Sequence, residues 1–417
     1  MLACLCLSAC GGGDGTTGTA AGTVTVGGTA SGTGTSTGTG ANSLATRALP
    51  AILASTSTKA INYSAYRTTG GPNVGEVPTD AQISQDLSLL SQAGFTLLRL
   101  FDSDPSHANI LRVAAASFPN LKFQLGIYLQ GIATASQASC SNSANDTDVQ
   151  EGIALAKQYA NVVSVSIGNE TSFFAQYMPV HCLASYVTTV KSSISQPVTA
   201  DDDYTFYAGL DGINELPDTL LPLLDYVSIH SYPPSNYGRW ATGLSTSGTA
   251  AQRAANLMNG ALANAQSTYQ QVQTYISAHG GAGLPITVGE IGWKSVPTNP
   301  VIASSTGCGG NAVGSGNPLE GNGASCSNGV IGGATPVAAT PINAKWFHDL
   351  LDGWQAAGTG PKVIFWFEAT DEVWKGTDDG WGLWDAARNP RIALCGTPAA
   401  PASCPASGDY TGAGYYP

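Results

Sequence analysis

From Lys59 onward, short β-type apolar runs alternate with longer helical patterns. The first texture is that of buried strands and the second that of amphipathic helices. Eight strand-like runs can be read, at 60–64, 95–101, 123–129, 162–167, 198–201, 226–230, 286–289 and 363–367. Helical patterns lie between them, near 80–93, 106–118, 147–160, 183–195, 214–223, 250–279 and 338–357. Strand and helix in regular alternation call for a parallel sheet, and eight such units are what one closed barrel requires. The predicted fold class is therefore α/β, a single (β/α)8 TIM barrel. The rival architecture is an open doubly wound sheet, which normally carries a Gly-rich phosphate loop after its first strand. Gly70-Gly71-Pro72 does not fit that motif.

The flanks read differently. Residues 11–45 are almost all Gly, Thr, Ser and Ala. Such a segment cannot bury enough surface to fold, so a disordered linker is expected there. Ahead of it, residues 1–10 are apolar and rich in small residues, and Leu7-Ser8-Ala9-Cys10 reads as a lipobox with Cys10 as the lipidated residue. The expectation is a bacterial lipoprotein signal peptide, truncated because the basic n-region is missing. The predicted organisation is signal peptide at 1–10, linker at 11–45, barrel at 46–395 and a Pro/Ala/Gly-rich surface tail at 396–417. Within the barrel, the segment 296–336 is unusually long and rich in Gly, Ser and Asn. It follows the seventh strand, which places it over the C-terminal face, where long loops are often functional.

Composition narrows the class of ligand. Charged residues make up 11% of the chain, well below the usual quarter, so Ser, Thr, Asn, Gln and Gly must cover the surface. That suits an exported protein that binds neutral polar ligands. A net charge of −12 argues against nucleic acid, because phosphate binding needs a basic face. No apolar stretch is long enough for a transmembrane helix, so membrane contact is expected only through the lipid anchor. The expected location is the bacterial cell envelope, at the outer membrane or periplasmic face, or the medium, and a monomer is expected.

With Cys4, Cys6 and Cys10 assigned to the leader, six cysteines remain, an even number that in an exported chain points to disulfides. The simplest pairing joins sequence neighbours: Cys140 with Cys182, Cys308 with Cys326, and Cys395 with Cys404. Six cysteines allow fifteen arrangements, so the connectivity stays open. The absence of a C-x-x-C pair and the scatter of the five His argue against zinc, and no metal or organic cofactor is expected.

Catalytic groups of such barrels sit at the C-terminal ends of strands. After the fourth strand comes Gly168-Asn169-Glu170, and the seventh ends in Gly289-Glu290, followed by Ile291-Gly292-Trp293. Two carboxylates on strands four and seven would face each other across the barrel mouth. That geometry suits retaining glycoside hydrolysis, with one carboxylate attacking the anomeric carbon and the other serving as acid and then base. The Asn169 amide could donate to a sugar 2-hydroxyl. Arg99 and Asp102 flank the end of the second strand, and a nearby cation favours an ionised carboxylate. The sixth strand leads into His230-Ser231-Tyr232-Pro233, and the eighth into Glu368, Glu372, Trp374 and Lys375. Tyr63, Tyr128, Tyr232, Trp293, Trp366, Trp374, Trp381 and Trp384 cluster near strand ends, where rings could stack on the apolar faces of sugars. Asp201-Asp202-Asp203 reads as a solvated loop or helix start, since three consecutive acids on an extended strand cannot all point one way.

These stretches resemble glycoside hydrolase family 17, the β-1,3-glucanase and glucanosyltransferase family of the retaining-barrel clan. The matching segments are VVSVSIGNET around Glu170, ITVGEIGWKS around Glu290, LRLFDSD at 98–104, FWFEATDEVWKG at 365–376 and WGLWDAARNPR at 381–391. They span nearly the whole barrel in the family's order. The resemblance implies Glu170 as acid/base, Glu290 as nucleophile, Glu368 and Glu372 as the acidic cluster lining the donor subsite, and β-1,3-glucan as substrate. Lys294 stands where the family commonly has proline, and His230-Ser231-Tyr232-Pro233 where Asn-x-Tyr-Pro is frequent. Those departures leave the subsites open. Open alternatives are transglycosylation at the same site, a related barrel enzyme acting on another polysaccharide, and a non-catalytic glucan-binding lipoprotein.

Overall fold

A computed structural model describes residues 44–132, 140, 142–172, 178–210, 216–234, 240, 244, 247–296, 325–327, 330–332 and 339–413. Eight parallel strands close on themselves: β1 (Ala60–Asn62), β2 (Leu97–Leu100), β3 (Lys122–Ile127), β4 (Val162–Asn169), β5 (Val198–Asp203), β6 (Val227–His230), β7 (Ile286–Ile291) and β8 (Ile364–Trp366). Each strand pairs with its sequence neighbours, and β8 returns to β1, so the sheet has no free edge. The expected (β/α)8 barrel is present. All eight predicted strands recur within a few residues of their expected bounds.

The helices that follow the first four strands are α1 (Asp80–Gln92), α2 (Pro105–Ser117), α3 (Ser143–Gln158) and α4 (Val180–Ser193). Thr79 and Gln82 form a reciprocal capping box at the start of α1, and Asp104 caps α2 ahead of Pro105. After β5 comes only the four-residue α5 (Tyr204–Tyr207). The helix expected near 214–223 appears instead as two 3-10 turns, Pro217–Thr219 and Leu221–Leu223. Pro217 and Pro222 remove the N–H groups a continuous helix needs there. The long α6 (Ala250–Ala278) and α7 (Pro341–Ala357) complete the ring.

Apolar side chains of the strands and helices form one large core between barrel and helices. A second cluster of Leu53, Ala60, Leu97, Tyr226, Val363 and Phe365 gathers at the strand starts, with Leu49 and Ile52 packed against it. The N-terminal ends are thus apolar and filled, which leaves the polar groups at the C-terminal ends. Two disulfides form as the nearest-neighbour pairing predicts, Cys140–Cys182 and Cys395–Cys404. Cys308, and with it the expected pairing to Cys326, falls outside the described residues, as do Cys10 and residues 11–43 of the linker. No helix among the described residues is long and apolar enough to cross a membrane. In the tail, Tyr410 stacks on Trp346 at 4.3 Å and its hydroxyl donates to Asp349 at 2.9 Å.

Candidate active site

Strand register brings the polar residues to one level. Arg99 lies opposite Asn62 on one side and Gln124 on the other. Asp201 lies opposite Asn169, and His230 opposite Glu290. The centre of this ring is Arg99, whose guanidinium is almost completely buried. Its Nε donates to Asp201 at 2.5 Å, one terminal nitrogen donates to Asn62 at 2.8 Å and to Glu290 at 2.7 Å, and the other donates to Asn169 at 2.6 Å. Burial opposes the guanidinium charge, but Asp201 and Glu290 more than offset this and raise its pKa. Gln124 adds a 3.0 Å bond to Asp201. Asp201 stays ionised for the matching reason: burial disfavours its charge, yet Arg99 holds its carboxyl below the ordinary range.

Glu290 lies one residue before the end of β7, where the register shifts against both neighbouring strands, and is buried. Besides Arg99, it accepts from the Tyr232 hydroxyl at 2.6 Å. The preceding residue has to be Gly289, because a Cβ there would stand 2.4 Å from the Ser228 hydroxyl oxygen. Glu170 is placed differently. It follows β4 in the left-handed region, with φ of 50°, a conformation that costs a non-glycine residue on the order of 1–3 kcal/mol. Its backbone N–H donates to the Asp201 carbonyl at 2.9 Å, and its carboxylate meets His230 Nδ1 at 2.9 Å. His230 Nε2 lies 3.6 Å from Glu290. One oxygen from each glutamate and one ring nitrogen of His230 all lie within 4.8 Å of one another.

The electrostatics separate the two carboxylates. Burial pushes the Glu170 carboxyl above its ordinary range and the charge of Glu290 adds to that, while His230 pulls the other way. Burial also opposes a charge on His230, but the Glu290 carboxylate and the hydrogen bond to Glu170 push it up to about 9. His230 thus favours its charged form, placed between the Glu170 carboxyl and the Glu290 carboxylate.

A second charged group follows β8. Lys375 pairs with Glu368 at 2.8 Å and with Glu372, which also accepts from Ser64 and from the Trp374 indole. Burial and then the charge of Glu372 drive the Glu368 carboxyl well above the ordinary range. Glu372 is buried too, yet Lys375 holds it down to about 2. The ammonium stands 4.5 Å from the centre of the Phe367 ring, whose edge meets Tyr232. This cluster and the Glu170–Glu290 pair are thus bridged by two aromatic rings. Phe101, half-exposed, lies beneath both Arg99 at 4.9 Å and Lys375 at 5.8 Å.

The site gathers most, but not all, of the residues expected from the sequence. Asn169, Arg99, His230 and Tyr232 contact the two glutamates or one another. Glu368, Glu372, Trp374 and Lys375 form the neighbouring cluster. Asp102 and Tyr128 are half-buried at the ends of β2 and β3, and burial raises the Asp102 carboxyl. Two residues lie elsewhere. Tyr63 is buried and donates to Asp86 at 3.2 Å under the barrel rim. Trp293 is fully buried against Phe347 of α7 and cannot stack on a ligand there. Trp366 faces the helix layer against His348, and Trp384 is buried.

Three residues of the network escaped the sequence reading, Asn62, Gln124 and Asp201. Asn62 carried a signal, a fully polar side chain within an apolar strand. The expectation of a solvated loop or helix start for the three consecutive aspartates holds only for Asp203, which starts a helix, and is corrected for the other two. Asp201 and Asp202 are buried members of β5, and Asp203 caps α5. Their side chains do point different ways, as strand geometry demands, but both faces of this strand are covered.

Among the described residues, two groups have the donor atoms for a metal ion. Cys140, His181 and Cys182 form one, but the two sulfurs are joined to each other. Glu170, His230 and Glu290 form the other, in which His230 already meets Glu170 and Glu290 already accepts from Arg99 and Tyr232.

Comparison with known proteins adds family and fold. The model of the BtgE/BtgC glycoside hydrolase domain matches residues 60–300, which carries β1 to β7 and both glutamates. No curated protein matches the sequence. Among solved structures, a calcium-binding mutant of Bacteroides uniformis β-glucuronidase 2 aligns with a TM-score of 0.51 at 12% identity, over 81% of this chain and 33% of that one. The same enzyme covalently bound to a cyclophellitol-6-carboxylate aziridine gives 0.49 at 11% identity, over 81% and 34%. A GH2 β-galacturonidase from Eisenbergiella tayi bound to galacturonate gives 0.47 at 14%, over 76% and 47%. The chain spans a third to about half the length of these proteins, and at such identities the likeness is one of fold.

Proposed function

Because the chain belongs to the BtgE/BtgC glycoside hydrolase domain family, we propose that it is a retaining glycosidase of β-1,3-glucan with Glu290 as nucleophile and Glu170 as acid/base. The observation that carries the retaining mechanism is the approach of the two carboxylates, one oxygen of each lying within 4.8 Å of the other. An inverting pair stands roughly 6.5–9.5 Å apart to admit a water, whereas direct attack needs only about 5 Å.

In the first step Glu290 attacks the anomeric carbon while Glu170 gives its proton to the departing glycosidic oxygen. A covalent glycosyl-enzyme ester results. In the second step Glu170, now a carboxylate, takes a proton from the acceptor hydroxyl as its oxygen displaces Glu290. The Arg99 and Tyr232 donors position Glu290 for attack and take up charge when it leaves. Arg99 donates to the Asn169 side-chain oxygen, which leaves the Asn169 amide N–H groups for a sugar hydroxyl. The choice of β-1,3-glucan rests on the ordered family 17 motifs, including the Glu368–Glu372–Lys375 cluster. The two disulfides support the further reading that the protein is exported to an oxidising compartment.

The test is product analysis of the purified protein with laminarin and linear β-1,3-oligosaccharides. Shorter products imply water as acceptor and longer ones imply sugar, and retention is read from the anomer first released. Turnover confined to another polysaccharide, or first release of the inverted anomer, would refute the assignment.

A further inference from the structure

We propose that Asp202 is a positioning residue for Glu170, clamping the strained turn on which the acid/base is carried. The inference rests on Glu170 being the acid/base. Consecutive residues of β5 point to opposite faces, and the two acids divide accordingly. Asp201 enters the ring of Arg99, on the side of Glu290. Asp202 faces the other way, towards the turn after β4, and is completely buried.

The carboxylate of Asp202 is saturated by donors. Its Oδ2 accepts from the Ser172 backbone N–H at 3.1 Å and from the Thr171 hydroxyl at 3.5 Å. Its Oδ1 accepts from the Ser172 hydroxyl at 2.6 Å and from the Asp203 backbone N–H at 2.8 Å. Burial pushes the Asp202 carboxyl up to about 7 while the Ser172 and Asp203 donors pull it down; in its ionised form, with no proton to donate and about four lone-pair sites, it suits four donors. An asparagine does not: each oxygen faces a backbone N–H, so an amide would oppose one donor with another in either orientation.

The position of this clamp gives it its role. Glu170 is one of two non-glycine residues with positive φ among the described residues. A residue in that region persists only where its surroundings over-determine it. On its N-terminal side the β4–β5 ladder does so, through the bond from the Glu170 N–H to the Asp201 carbonyl. On its C-terminal side Thr171 and Ser172 are held by Asp202. Both anchors lie on consecutive residues of one strand. If the Asp202 anchor is lost, Glu170 can relax out of the left-handed region and swing away from the leaving oxygen. The Glu290 side would be untouched.

The test uses Asp202→Asn, Asp202→Ala and the milder Ser172→Ala in the full chain. Two substrates are compared: a linear β-1,3-oligosaccharide, whose leaving oxygen needs a proton, and an aryl β-glucoside with an acidic phenol, whose leaving oxygen does not. Misplacing the acid should slow the oligosaccharide about 10- to 100-fold and leave formation of the covalent intermediate from the aryl glucoside within about threefold. Amide hydrogen exchange at Glu170–Ser172 should speed up in Asp202→Ala while the helices keep their protection. Equal losses on both substrates, or unchanged exchange at Glu170–Ser172, would overturn the proposal. Should the aspartate variants fail to fold, Ser172→Ala shows the same pattern at smaller amplitude or the proposal fails. A wild type inactive on both substrates refutes the glucan reading instead, and the exchange result still decides the clamp.

Discussion

Glu290 and Glu170 face each other across the barrel mouth, one within a strand and one on a left-handed turn. Glu290 is met by Arg99, Tyr232 and His230, and is nearly inaccessible. Glu170 keeps 19% of its side chain exposed and has one side-chain partner among the described residues, His230. Its place is set through its backbone. The difference follows from the two tasks. A nucleophile must be anionic when it attacks and must become a good leaving group later, so fixed donors serve both moments. An acid/base must lose and regain a proton in each cycle, so a full set of donors on its carboxylate would trap it as an anion. Precision for the first is supplied by side chains, and for the second by the strand and turn that carry it.

Removing each carboxylate gives the largest effect and tests the division directly. Glu290→Gln should lower turnover on every substrate by about 10⁴-fold or more, because no covalent intermediate can form. Glu170→Gln should slow oligosaccharide cleavage about 10²- to 10⁴-fold, while an aryl glucoside with an acidic phenol should still form the intermediate, which then accumulates. A burst of phenol in Glu170→Gln and none in Glu290→Gln is the expected signature. A burst in the Glu290 variant would reverse the assignment.

This division was only partly legible in the sequence. The strand ends could be located because alternation of short apolar runs and helical patterns survives in a barrel, and Gly-Asn-Glu and Gly-Glu then fell on strands four and seven. Glu170 and Glu290 could therefore be named from pattern alone. Arg99, His230 and Tyr232, which meet them, could be named too, but not the residues behind Arg99. Asn62 and Asp201 reach Arg99 only because β1, β2 and β5 curve round one lumen, and no spacing along the chain encodes that approach. Trp293 shows the opposite error. It stands three residues past Glu290, as a cleft tryptophan would, but β7 turns it outwards into the helix layer against Phe347.

A smaller perturbation probes the anchored side alone. Tyr232→Phe removes the 2.6 Å hydrogen bond to Glu290 and keeps the ring that packs on Phe367 and Trp381. A hydrogen bond to a charged group contributes about 1.5–3 kcal/mol, so kcat should fall about 10- to 100-fold. Both substrates should lose alike, because the nucleophile acts in each. A loss restricted to the poor leaving group would mean that Tyr232 serves Glu170, and the contrast between the two sides would fail.

Among the described residues His230 is the one side chain that meets both glutamates, and His230→Asn should show its smallest effect at the optimum and its clearest in the pH profile. The cation pulls the Glu170 carboxyl down against the burial that raises it. Without it, Glu170 holds its proton to higher pH, so the basic limb of kcat/KM should move to the alkaline side. Stability should respond with the opposite reach. His230 is raised to about 9 in the folded protein against an ordinary value of 6.5. The stability contributed by its charge is therefore complete below pH 6.5 and lost as pH climbs through 9. The melting temperatures of wild type and variant should differ most near pH 6 and converge above pH 9. A basic limb that stays in place would show that His230 acts on Glu290 alone, leaving Glu170 governed by burial and by the turn that carries it.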